Sequence, residues 1–263
     1  MKPYLVSLPL LLFASDALAW GLQTHLYFAQ HLLFAVPLLD PELRRAALRF
    51  PRLVLAGACL PDLALAGGAL RLPVFRRTHR WSSLRRLAAA TCDEERAVAM
   101  GYASHLLTDV VAHNRFVPEH EDRVVDVAHA THALCEWAMD DYLRGWVCAA
   151  PGELLASQRG TLAAIIAPRW RCEEALAVRV IDWLAGADRL LRASRLPRAC
   201  RAVLHLIERR YMPRFEAYVR ETSVLLGQVG PALDGVQPTG DPEPDNPGDS
   251  WRAGKLPLPQ TLI

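Results

Sequence analysis

His105, Asp109 and His113 stand at successive four-residue steps in the stretch GYASHLLTDVVAH, residues 101–113. On a helix, such steps place all three on one face. A second group, His129, His132 and Glu136, follows at three- and four-residue steps and projects from a single face of another helix. Imidazole and carboxylate are the ligands zinc takes where thiolates are absent, and two such faces packed together enclose a polynuclear centre. A lone histidine on a half-apolar helix is ordinarily a satisfied core or surface residue, but six ligand-type residues on two faces are harder to explain that way. Leu106, Leu107, Val110 and Val111 flank the first face, so a carboxylate buried there without a cation would be costly.

The elements that must position these groups read as helices. Apolar residues recur at three- and four-residue spacing over His31 to Leu39, Glu94 to Val111, Val124 to Val147 and Glu173 to Leu191, and no alternating strand run appears. Pro37, Pro41, Pro51, Pro61, Pro73, Pro118, Pro151, Pro168 and Pro197 fall at intervals suited to helix boundaries, and Pro213 should kink or restart the last long pattern. The expectation is an all-α, single-domain multi-helix bundle over residues 20–236. It follows a leader at 1–19 and precedes a flexible Pro/Gly-rich tail at 237–263, whose PTGDPEPDNPGD stretch (238–249) has too little apolar surface to order itself. No internal repeat or phosphate-cradling Gly-rich loop is present, and Gly67-Gly68 reads as a turn or close helix contact.

At the start, Lys2, the apolar run Tyr4 to Ala14, and Ala17 and Ala19 make a secretion signal, with Asp16 interrupting a stretch too short for a bilayer span. The expected location is therefore secreted or periplasmic. Cleavage after Ala19 would expose Trp20 with a free amine, a group able to ligate a metal. The formal charge of +2 and the interleaving of Arg with Asp and Glu leave no dense basic stripe for a nucleic-acid backbone. Lys occurs only at 2 and 255, and the Arg bias reads as compositional. Six cysteines permit disulfides, none lies in a CxxC pair, and Cys59 and Cys135 stand among small apolar neighbours as buried thiols would.

The order Trp20, His25, Asp62 in GACLPDL, His79 in THRW, His105-x3-Asp109, a further His, then His132-x3-Glu136 resembles the zinc-dependent phospholipase C family, with which the single-strand-specific nucleases share their zinc site. The resemblance covers roughly residues 20–136 and rests on the combination, since each short motif alone is weak. It implies an all-helical fold and up to three zinc ions. One would be held by Asp62, His79, His105 and Asp109, a second by His113, His132 and Glu136, and a third by the amine and carbonyl of Trp20 with His25 and a bridging Asp109. Asp62 is implied as the proton acceptor for attacking water. The activity implied is hydrolysis of phosphoesters, with a phospholipid or glycophospholipid as substrate and partner.

Two departures bear on specificity. The step from Asp109 to His113 is shorter than in the secreted bacterial phospholipases C and the nucleases, and looks like that of the phospholipases D that release glycosylphosphatidylinositol anchors. Leu63 stands where choline-selective enzymes carry an aromatic, and Gln23 near where they place a headgroup-binding carboxylate, so choline selectivity is not implied. The alternatives are a nuclease or nucleotidase using the same zinc site, D-type cleavage, and a zinc-binding structural or envelope protein without turnover. No base-stacking aromatic pair or basic groove supports the first of these, and no specific nucleic-acid partner is expected. Phe75-Arg76-Arg77 and Trp81 offer either a transient membrane-surface contact or an ordinary loop beside His79. His31 reads as core or surface; His120 and His129 as ligand-orienting partners or solvated residues; His205, Trp170 and Trp183 as packing.

Overall fold

The computed structural model describes residues 21–35, 39–116, 128–207, 211–238, 240 and 242, without the side chains of 128–133, 207 and 211–213. Among these residues every regular element is helical. In chain order they are α1 (Leu22–Phe34), α2 (Pro41–Arg49), α3 (Pro51–Gly57), α4 (Leu63–Ala69), a 3-10 turn (Pro73–Phe75), α5 (Trp81–Ala88), α6 (Asp93–Val111) running into a π turn (Ala112–Phe116), α7 (Ala128–Leu143), α8 (Pro151–Trp170), α9 (Glu174–Ala193), α10 (Leu196–Ile207), α11 (Tyr211–Leu225), a 3-10 turn (Leu226–Gln228) and α12 (Val229–Leu233). No described helix is long and apolar enough to cross a membrane.

Helix α6 is the axis of the bundle, touching α1, α2, α3, α5, α11 and α12. Its residues from Ala97 to Val111 are all buried, polar ones included, as befits a helix surrounded on all sides. Its first turn carries Asp93, Glu94 and Glu95, which suit the positive end of the helix. Arg45 and Arg49 of α2 grip Asp93 at 3.0–3.2 Å, and the hydrogen bond from Arg45 holds that carboxyl below its ordinary range.

The crossing of α3 and α6 is set by two glycines. A Cβ on Gly101 would lie 1.9 Å from the Val54 carbonyl oxygen, and one on Gly57 would lie 2.4 Å from that of Val98. Only bare backbone permits this approach. Gly67 likewise meets Phe75, whose side chain is fully buried, so Gly67 serves a close contact, whereas a Cβ on Gly68 would meet no atom within 4 Å.

Pro41, Pro51 and Pro151 open helices, where a missing N–H costs nothing. Pro168 differs from expectation: it lies inside α8, whose end comes later, at Arg171 with φ 55°. At that position proline removes one hydrogen bond of the last turn and leaves the preceding turns intact. Pro213 falls in the first turn of α11, consistent with a fresh start. Helices α8 and α9 pair closely, with Gly152 N–H donating to Asp188 Oδ2 at 2.8 Å.

All six cysteines are free thiols, Cys59 and Cys135 fully buried among apolar side chains. Trp170 is core and Trp183 packs against it, while His205 is exposed and His31 half-buried.

Candidate metal centre

Four segments far apart in sequence converge on Asp109. His25 comes from the first turn of α1, Asp62 from the turn before α4, His79 from the loop before α5, and His105 and Asp109 from consecutive turns of α6. All five are buried, Asp109 and His105 completely. His25 Nε2 lies 3.3 Å from Asp109 Oδ1, His105 Nε2 2.9 Å from Asp109 Oδ2, His79 Nε2 3.7 Å from the same Oδ2, and His79 Nε2 3.1 Å from Asp62 Oδ1. Two donor triads result, His25–His105–Asp109 and Asp62–His79–His105. The two oxygens of Asp109 thus face different histidine sets.

Supporting contacts fix the donors. His105 Nδ1 donates to the Ala58 carbonyl at 2.7 Å, which leaves Nε2 as the lone-pair nitrogen of the neutral ring. The hydroxyl of Thr78 bonds the carbonyl of Pro61, and that of Tyr102 bonds the carbonyl of Thr78, so the turn carrying Asp62, the loop carrying His79 and helix α6 are clamped together. Phe75 and Trp81 are buried parts of this clamp, and only Arg76 and Arg77 between them are exposed. The segment is a supporting loop for His79.

At the front of α1, Asp140 of α7 supplies the cap that Gly21 cannot. Its carboxylate accepts from Thr24 N–H at 3.0 Å, Thr24 Oγ1 at 2.9 Å and Gln23 N–H at 3.4 Å. A Cβ on Gly21 would fall 2.2 Å from that carboxylate. Burial pushes the Asp140 carboxyl up to about 7, with the Thr24 donors pulling the other way.

Zinc fits this donor set on three observations. First, no described hydrogen bond satisfies His105 Nε2 or either Asp109 oxygen, although all are buried; a lone pair confronting a carboxylate oxygen at 2.9 Å needs a cation. Burial raises the Asp109 carboxyl and Asp62 adds to the rise, which His105 and His79 oppose only when protonated. Second, the His25 and His105 rings stack with centroids 3.4 Å apart and 10° between planes, an arrangement hostile to two imidazolium charges and suited to two neutral ligands. Third, donors about 2.1 Å from a tetrahedral zinc stand roughly 3.4 Å from one another, within the observed spread.

The remaining expected ligands are placed unequally. His113 is buried, but on the π turn rather than a continuous α-helix. Asn114 Nδ2 takes the Val110 carbonyl at 2.8 Å, a partner that α-helical geometry gives to the backbone. Glu136 is fully buried on α7. Trp20, His120 and the side chains of His129 and His132 lie outside the described residues, as do residues 1–19 and most of 237–263. Sequence reasoning missed the Ala58 carbonyl, the Thr78–Tyr102 clamp and Asp140. Of these, Tyr102 lies one turn before His105 and Asp140 one turn after Glu136, so each shares a helix face with an expected ligand.

No curated protein and no solved structure matches the chain. A family model described as zinc dependent phospholipase C matches residues 24–165, more than half the chain and every histidine and carboxylate brought together above. The chain belongs to the zinc-dependent phospholipase C family and is a zinc-dependent, phospholipase C-like phosphoester hydrolase.

Proposed function

We propose that the protein is a secreted or periplasmic phospholipase C-like enzyme that hydrolyses the phosphodiester of a phospholipid or glycophospholipid at a centre of up to three zinc ions. The observation that carries this reading is the bifacial Asp109, one oxygen toward His25 and the other toward His105 and His79. Asp62, His79, His105 and Asp109 would hold one ion. His25, Asp109 and the amine and carbonyl of Trp20 after leader cleavage would hold another. His113, His132 and Glu136 would hold the third. Bound zinc supplies Lewis-acid polarisation of the phosphoryl oxygens and a water nucleophile near neutral pH.

The chain's own residues do the rest. Asp62, beside His79 and on a turn tied down through Pro61, accepts the proton of the attacking water. Ala58 and His105 hold the ligand tautomer. The apolar flank of α6, with Leu106, Leu107 and Val110 fully buried, excludes bulk water and sharpens every charge interaction inside.

The test combines intact mass, zinc content and products. Exported protein beginning at Trp20, with about three zinc per chain, should release phosphorylated headgroup and diacylglycerol from mixed lipid vesicles. Phosphatidic acid as product would move the assignment to D-type cleavage, and full zinc content with no turnover of lipid or small chromogenic diester would overturn the enzymatic reading.

A further inference from the structure

A cavity of about 260 Å³ opens where the C-terminal ends of α7 and α9 and the start of α10 meet the first turn of α1. Gln23, Asp140, Arg144, Arg192, Arg195 and Arg198 line it. Four arginines meet on this one small hollow.

Their partners decide what the hollow can hold. Arg192 is engaged by Asp188 through Nε and an Nη at 2.9 Å. Asp141, also on the wall, is paired with Arg201 at 2.8 Å. Asp140 faces the three donors of Gln23 and Thr24. Among the described residues nothing pairs with the side chains of Arg144, Arg195 and Arg198. Arg195 also sits at φ 60° in the short link between α9 and α10, a left-handed conformation that a non-glycine residue adopts at a cost. Three exposed guanidinium groups around one cavity suit a multiply charged oxyanion, for which arginine has the matching fork geometry.

Two residues of its wall, Gln23 and Asp140, belong to helices that also carry expected ligands. Gln23 precedes the ligand His25 by two residues, and Asp140 follows Glu136 by one helical turn, about 6 Å of rise. Arg195 and Arg198 lie beyond residue 165, where the family match ends, whereas Arg144 lies within it.

We propose that Arg144, Arg195 and Arg198 form a specificity subsite for a phosphate group other than the one hydrolysed, so that the preferred headgroup carries a second phosphate. This deepens the hydrolase reading and rests on it. The same chemistry would also take free inorganic phosphate, and the test separates the two sources.

The full zinc-loaded chain, wild type and R195A/R198A, is compared on three readouts: hydrolysis of a small chromogenic diester, kcat/KM on water-soluble short-chain phosphatidylinositol against its 4-phosphate, and calorimetric titration with inorganic phosphate. We expect the wild type to favour the 4-phosphate by about tenfold or more, the variant to lose that preference while keeping diester hydrolysis, and R195K/R198K to recover part of it. A wild-type preference near one, together with a phosphate-binding event that the variant lacks, would assign the subsite to free phosphate and overturn the headgroup role. Equal phosphate titrations and equal substrate ratios for wild type and variant, both folded by circular dichroism, would overturn the subsite altogether. Absence of diester hydrolysis in the wild type would instead count against the hydrolase reading, and the phosphate titration would still decide the cavity.

Discussion

The carbonyl of Ala58 accepts a hydrogen bond from His105 Nδ1 at 2.7 Å, so that in the neutral ring His105 Nε2 faces Asp109 as an electron-pair donor. A buried acceptor pointed at a buried carboxylate is a liability in an empty protein and a ligand pair in a loaded one. Zinc should therefore act as part of the fold. Stripping the metal with a chelator is expected to abolish hydrolysis and lower the melting temperature, and re-adding zinc to restore both. A site filled at a hundred times its dissociation constant contributes about 2.7 kcal/mol, or roughly 5–10 °C for a domain of this size, read by calorimetry with and without zinc.

Asp109→Asn separates the cost of the carboxylate from its use. Burial raises the folded-state carboxyl above its unfolded value, so ionisation opposes folding of the metal-free chain as pH rises above the unfolded carboxylate range. In chelator at pH 7.5 the variant is expected to melt at or above the wild-type temperature. In zinc the order should invert, because the variant lacks the bridging charge, and its zinc content by plasma mass spectrometry should fall by at least one ion. A variant that gained as much from zinc as the wild type would contradict the role of Asp109.

Gly101→Ala drives a methyl group into the Val54 carbonyl at the α3–α6 crossing. The helices must separate, and the Ala58 carbonyl moves away from His105. The expectation is a loss of about 1–3 kcal/mol in urea unfolding, typical of overpacking, accompanied by weaker zinc retention. Gly160→Ala, where an added Cβ meets no atom within 4 Å, is the control and should be neutral or slightly stabilising.

Asp140 gives a pH signature of its own. Its carboxyl is raised to about 7, mainly by burial. The unfolded group titrates near 3.9, so the folded state binds the extra proton between these values and stability declines as pH climbs through that window, levelling off above it. Asp140→Asn keeps an oxygen that can accept from Thr24 and removes the charge. Metal-free wild type is therefore expected to lose stability relative to D140N between about pH 4 and 7, by at most ~1.4 kcal/mol per pH unit; parallel denaturation curves across that range would refute the assignment.

Spacing alone made legible the parts of the centre with a helical period, while His25, Asp62 and His79 were legible only through the family resemblance. His105 and Asp109 stand one turn apart on a helix whose existence the apolar spacing announces, and the structure buries them on one face. The same period carried His113 onto that face as an α-helical residue, whereas the chain widens into a π turn there because a side chain, Asn114, captures a backbone carbonyl. Ala58 acts through its carbonyl, which every residue possesses, so nothing in its side chain marks it. Asp140 reads as any acidic residue on a helix until tertiary packing brings it to the start of α1, and Pro168 reads as a helix boundary although α8 runs past it. For Ala58 and Asp140 a contact distant in sequence decided what local pattern left open.

The cap of α1 carries a consequence for synthesis. Gly21 offers no side chain, and the oxygens that receive the Thr24 amide and hydroxyl belong to a residue 116 positions later. During translation at about 5–20 residues per second, the helix that bears His25 waits roughly 6 to 23 seconds for its terminator to be made. The earliest histidine is therefore fixed in its helix only after the chain has been made as far as Asp140, and more than half of synthesis passes before that end of the ligand sphere is tied down.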